Sequence, residues 1–175
     1  GENIITLNVT EGKLIFGDIV LDKDEVIPAY ETGNKAEGSA SIITIQGERP
    51  YTRNDSSIRP TCEYDCDLDP YDYSKKTLNI MDATSYNDAG MTMTYQIKVE
   101  KAGYYYFAFN YRQDKKVDMP VFVDIKVDGK IPNKELVSYA FNYQKSFDDM
   151  TLEAKDGEKM AIYLEEGTHT ISTTL

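Results

Sequence analysis

From Met91 to Val99 the chain alternates: Met91, Met93, Tyr95, Ile97 and Val99 fall on one side, and Thr92, Thr94, Gln96 and Lys98 on the other. A period of two marks a half-buried β-strand, because successive side chains leave a pleated backbone on opposite faces. Related segments recur along the sequence. Positions 4–9 and 13–16 are short apolar runs separated by Glu11-Gly12, a hairpin signal. Ile42, Ile43, Thr44 and Ile45 are β-branched throughout, and positions 104–111 carry aromatics on both faces, which predicts a central strand. Positions 121–127 end at Asp128-Gly129, a tight-turn dipeptide, and 161–164 turn at Glu165-Glu166-Gly167 into 169–173. Strands spaced roughly 8–12 residues apart, with Gly and Asn/Asp turns between them, specify a sandwich or barrel. Helix signals are weak, with a single turn expected at 134–139. The expected class is all-β.

Two irregular stretches interrupt the strands, residues 28–39 and 51–87. The second is too long for a hairpin loop and is either functional or packed across a sheet face. It contains an acidic knot, with Glu63, Asp65, Asp67, Asp69 and Asp72 between positions 63 and 72. The first seven residues also read like 167–173, a pseudo-repeat in which only the first copy is followed by a further strand, 16–21. Residues 1–30 are therefore expected to be closing strands. They either complete the chain's own sandwich in permuted order or form the tail of a preceding module, with residues 31–175 as the main module.

Charge narrows the partners. Nineteen Lys+Arg against 30 Asp+Glu give a net charge of −11 over 175 residues, the length of one domain. Phosphate recognition needs clustered cations, so neither nucleic acid nor an anionic membrane is an expected partner. No apolar run reaches the ~18 residues of a membrane span, and Gly1-Glu2-Asn3 is no charged signal region, so no direct membrane insertion is expected. One His and two Cys leave little for metal-hydrolase or triad chemistry. No nucleophile elbow, phosphate loop or zinc-binding His pair is present, and His169 alternates with Ile171 as a strand residue. A non-catalytic chain is expected.

The aromatic set is unusual: 14 Tyr, 6 Phe and no Trp. A pyranose presents an apolar C–H face that stacks on an aromatic ring, while its hydroxyls hydrogen-bond to polar side chains. Tyr51, Tyr64, Tyr71, Tyr73 and Tyr86 fall in irregular segments, interleaved with Arg53, Asn54, Asp55, Arg59 and Asn87, a pattern suited to such a platform. The alternative is that these tyrosines plug the loops onto the sandwich. Asp65, Asp67 and Asp69 alternate like the start of a calcium loop, but Pro70 and Lys76 occupy the places of its Gly and its bidentate Glu. An EF-hand is excluded, which leaves a looser calcium loop or a solvated acidic one.

Several segments in register resemble a known module. They are Asn54-Asp55-Ser56-Ser57-Ile58-Arg59-Pro60, the run from Pro70 to Asn79, Ala102-Gly103-Tyr104-Tyr105-Tyr106 through Tyr111-Arg112-Gln113, Asp124 to Pro132, and Tyr163 to Ile171. From about Ser41 onward the chain resembles the N-terminal jelly-roll modules of extracellular solute-binding proteins of Gram-positive gut bacteria. Those modules are similar to the galactose-binding-like carbohydrate-binding families six and thirty-five. The resemblance implies a jelly-roll β-sandwich of two antiparallel sheets, no catalysis, and placement on the bacterial cell surface in a lipoprotein-attached parent. It implies a polysaccharide or oligosaccharide as ligand and other domains of the same surface protein as neighbours. It also implies a structural calcium held by Glu48 and, if the N-terminal strands close the same sandwich, by Asp18. In an exported chain an even cysteine count points to a Cys62–Cys66 disulfide, with free thiols the alternative. The chain departs from the pattern where relatives carry Trp, since Met93 and Tyr95 stand there. The competing reading is a structural spacer or protein-interaction sandwich with no glycan ligand.

Overall fold

Strands form at most places where the sequence alternates, in a computed structural model that describes residues 26–36, 42–115 and 117–175. The elements are β1 (Thr52–Arg53), β2 (Pro60–Thr61), β3 (Ile80–Met81), β4 (Thr92–Val99), β5 (Gly103–Tyr106) and β6 (Ala108–Gln113). They continue with β7 (Val121–Val127), a 3-10 turn (Lys134–Leu136), β8 (Tyr139–Phe141), β9 (Gln144–Thr151), β10 (Ala161–Leu164) and β11 (Gly167–Thr174). One antiparallel sheet runs β1-β4-β11-β7-β8. The antiparallel ladders β5–β10 and β6–β9 form the opposing layer, and β2–β3 is a separate short ladder. The fold is an all-β sandwich.

The core lies between these layers. Ile97 and Val99 of β4, Val123 and Ile125 of β7 and Ile171 of β11 meet Phe107, Leu152, Met160, Ile162 and Leu164 from the opposing side. Burying each such aliphatic side chain contributes roughly 1.5–3 kcal/mol, which makes this layer contact the main source of stability. Phe141 gathers Phe109, Tyr111 and Tyr139 around it edge-on, with ring centroids 5.0–5.7 Å apart. The 3-10 turn drops Leu136 into the same core.

Several expectations are met. The alternation of β4 is as read, with Met91, Met93, Ile97 and Val99 buried. Asp128 and Gly129 both have positive φ, 50° and 79°, the backbone that a tight turn after β7 demands. Others need correction. Ile42 to Ile45 joins no ladder among the described residues: Ile43 packs on the core while Ile42 is exposed. The aromatic run 104–111 is divided at Phe107, with β5 pairing β10 and β6 pairing β9. It is not covered on both faces, because Tyr106 and Ala108 are exposed. The two-residue strands β1, β2 and β3, within the stretch expected to be irregular, and β8 were not foreseen, and neither was β9. Its apolar Phe147 and Met150 are three apart, and an irregularity in its register opposite Tyr111–Gln113 spoils the period of two. The expected strands within 1–25, the pseudo-repeat and Asp18 lie outside the described residues.

Both irregular stretches are packed where described. Tyr30 donates its N–H to Glu135 Oε2 at 2.8 Å, and its hydroxyl accepts from the Ala161 N–H at 3.0 Å. In the longer stretch Ile58 is fully buried against Met91 and Met93, a second, smaller core.

Candidate functional site

The segment 51–87 is held by polar side chains that bond backbone within it and at its junction with β4. Asn54 bridges to the chain before β4: its Nδ2 donates to Gly90 O and its Oδ1 accepts from Thr92 N, each at 2.7 Å. Asp55 accepts from Ser57 N at 2.8 Å, and Ser57's N–H and hydroxyl hold the Asp55 carboxyl below the usual range. Asn79 pairs with Glu63 in both directions at 2.9 Å, and Ser85 Oγ bonds the backbone of Arg59. The Asp55 bond is an Asx turn, whereas Asn54, Asn79 and Ser85 tie the segment to backbone 16 to 38 residues away.

Against this frame the eight candidate ligand residues separate. Tyr51, Tyr71 and Tyr73 present exposed rings, Tyr73 at 85 %, and Arg53 at the end of β1 and Arg59 just before β2 are exposed. Tyr51 precedes β1, whereas Tyr71 and Tyr73 belong to the loop between β2 and β3, so the backbone presents them as two groups. Asn54 and Asp55 are exposed but already bonded, Asn54 to Gly90 and Thr92 and Asp55 to Ser57. Tyr86 turns inward, packs on the small core and donates its hydroxyl to Thr173 O at 2.9 Å. Burial raises its phenol despite that bond.

Glu48 is the most unusual polar residue here. It is 5 % exposed, and neither carboxylate oxygen has a hydrogen-bond partner among the described residues. Arg49 Nε lies 3.2 Å from Oε1, near enough for an ion pair but not aligned for a hydrogen bond. Nearby Tyr95 donates to Gly47 O at 2.8 Å, and its phenol is pushed far up by burial, then by Tyr86 and Glu48. A buried carboxylate that accepts no hydrogen bond is costly, and the largely exposed Arg49 reaches only one of its oxygens, so this donor still fits a hard metal ion. The alternative acidic set assembles only in part. Asp65, Cys66 and Asp67 bring ligand atoms within 4.8 Å of one another, while Asp69 faces Gln46 at 3.5 Å.

The cysteines differ from expectation. Cys62 and Cys66 are free thiols, not a disulfide. Asp67 N donates to Asp65 Oδ1 and Leu68 N to Asp65 O, a turn that leaves Cys66 exposed with its Sγ 3.9 Å from Asp67 Oδ1. His169 is engaged on both nitrogens, with Nδ1 2.6 Å from Asp128 Oδ2 and Nε2 2.9 Å from Glu165 O.

No family model matches the sequence, and neither does any curated protein. Among solved structures, the chain is similar to a GH26-CBM35 β-(1,4)-mannanase of Podospora anserina at 14 % identity and a TM-score of 0.43. The match covers 75 % of this chain and 24 % of that one. It is also similar to a ruminal GH26 endo-β-1,4-mannanase at 15 % identity and a TM-score of 0.44, over 80 % of this chain and 24 % of the other. The chain thus spans about a quarter of the length of either. Overlap at that level is partial, and the chemistry has to be read from this chain's own residues.

Proposed function

We propose that this protein is a non-catalytic carbohydrate-binding module, exposed on the bacterial cell surface as part of a larger solute-binding protein. The observation that carries the reading is the exposure of Tyr51, Tyr71 and Tyr73 on a segment whose backbone is otherwise fastened down. A ring that only plugged a loop would be covered. These offer their faces to solvent, where a pyranose could stack with Arg53 and Arg59 as hydroxyl donors. Commitment of the lone imidazole to Asp128 and Glu165 supports the absence of catalysis. Glu48 would hold a structural calcium, with Asp18 as its acidic partner if the N-terminal strands close the same sandwich.

Affinity electrophoresis against plant, host and microbial polysaccharides, with and without calcium, tests this reading. Retardation that Tyr51→Ala or Tyr73→Ala abolishes is the expected result. No retardation by any polysaccharide overturns it in favour of a spacer or protein-interaction sandwich.

A further inference from the structure

The outer face of β5 and β6 carries a row of side chains that the loop tyrosines leave unused. Tyr105, Phe107, Phe109 and Tyr111 pack in the main core, so Tyr104, Tyr106, Ala108 and Asn110 project from the opposite face. In the ladders Tyr104 lies opposite Tyr163, Tyr106 opposite Ala161, Ala108 opposite Thr151 and Asn110 opposite Asp149. Tyr163 is 49 % exposed and Tyr106 39 %. The Tyr104 and Tyr163 rings meet edge to face, centroids 5.3 Å apart and planes at 69°. Further along, Asn110 Nδ2 donates to Asp149 Oδ1 at 2.8 Å, and both side chains are exposed.

Aromatic surface therefore passes, across the small Ala108, into a fixed polar pair. Six residues separate Tyr104 from Asn110, about 20 Å at the rise of a β-strand, the reach of a short oligosaccharide. Tyrosine alone would be an ordinary strand former. Three clustered rings, two of them substantially uncovered, leave apolar area in water that a purely structural face has no reason to expose.

We propose that the outer face of β5, β6 and β10 is a second glycan-contacting surface, on which an extended neutral oligosaccharide lies along β5–β6. Its C–H faces stack on Tyr104, Tyr106 and Tyr163, and its hydroxyls bond the Asn110–Asp149 pair. Charge selects the neutral ligand: Asp149 sits at the row's end opposite Asn110, in a chain of net charge −11, and repels uronate or sulfate groups. This proposal rests on the glycan-binding reading, and the test separates the two.

Wild-type protein and the variants Tyr106→Ala, Tyr163→Ala and Asn110→Ala are run in gels containing galactan, xylan, mannan or mixed-linkage glucan, with polygalacturonate as the anionic comparison. Tyr51→Ala and Tyr73→Ala report on the loops. Each face tyrosine variant is expected to bind a retarding neutral polysaccharide roughly tenfold more weakly, the loss of one stacked ring. Asp149→Asn and Asn110→Ala, both outside the core, carry the test if a tyrosine variant melts early. Retardation of wild type that every face variant retains in full overturns the proposal and leaves loop binding standing. Stronger retardation by polygalacturonate overturns the neutral assignment. No retardation of wild type by any gel overturns both readings.

Discussion

His169 shows what one residue's surroundings can dictate. Both ring nitrogens face acceptors, the Asp128 carboxylate and the Glu165 carbonyl, and only the protonated imidazole donates from both. Those bonds raise its pKa above the ordinary value, the Asp128 bond most. Burial works to raise the Asp128 carboxyl, but the Thr170 N–H and His169 together hold it low. The stabilisation from His169 is thus complete below about pH 6.5 and fades as pH rises through its higher folded value. That from Asp128 is complete above about pH 3.9 and fades as pH falls through its lower folded value. As the chain's single histidine, His169 gives one imidazole signal in NMR. Its midpoint should lie above 6.5, and Asp128→Asn should bring it down; a midpoint unmoved by that change would contradict the pairing. Cys62 and Cys66 allow an equally direct check. Alkylation without reductant should add two adducts by mass, where a disulfide would admit none.

At the level of elements, the longest irregular segment holds its shape through one buried side chain and a set of polar turns. Ile58 is fully buried against Met91 and Met93. Ile58→Ala should cost about 2–5 kcal/mol and speed hydrogen exchange across β2 and β3 first. Denaturant melts with exchange read by NMR would check both, and a uniform change in exchange would mean the segment is not a separate unit. Strand positions such as β4, β7 and β10 were legible because alternation and a tight-turn dipeptide are local properties. β9 was hidden for an equally local reason, since the register irregularity sets its apolar residues three apart. The split of the aromatic run at Phe107 was beyond local reading. It depends on where β9 ends and β10 begins to pair.

For the whole molecule, Glu48 joins stability to the proposed ion. Glu48's buried carboxylate accepts no hydrogen bond among the described residues and is met only by the largely exposed Arg49, so a further cation against it should stabilise the fold. Chelation should therefore lower the melting temperature, and Glu48→Gln should abolish that sensitivity. A wild-type melt indifferent to chelator would refute the calcium assignment. Among the candidate ligand residues, type alone did not show which side chains are engaged in holding the fold. Asn54 and Tyr86 are polar and aromatic in the right stretch, yet one is bonded to the backbone at Gly90 and Thr92 and the other to Thr173. Those partners lie 36 to 87 residues away, and no spacing rule reaches that far. By itself the sequence determined the all-β class, the longer alternating strands and the net negative charge, because backbone periodicity and composition are encoded residue by residue. Only the tertiary structure decided which tyrosines face solvent and which carboxylate is stranded in the interior. Exposure and satisfaction depend on what other segments bring alongside, and those segments meet only when the two layers close.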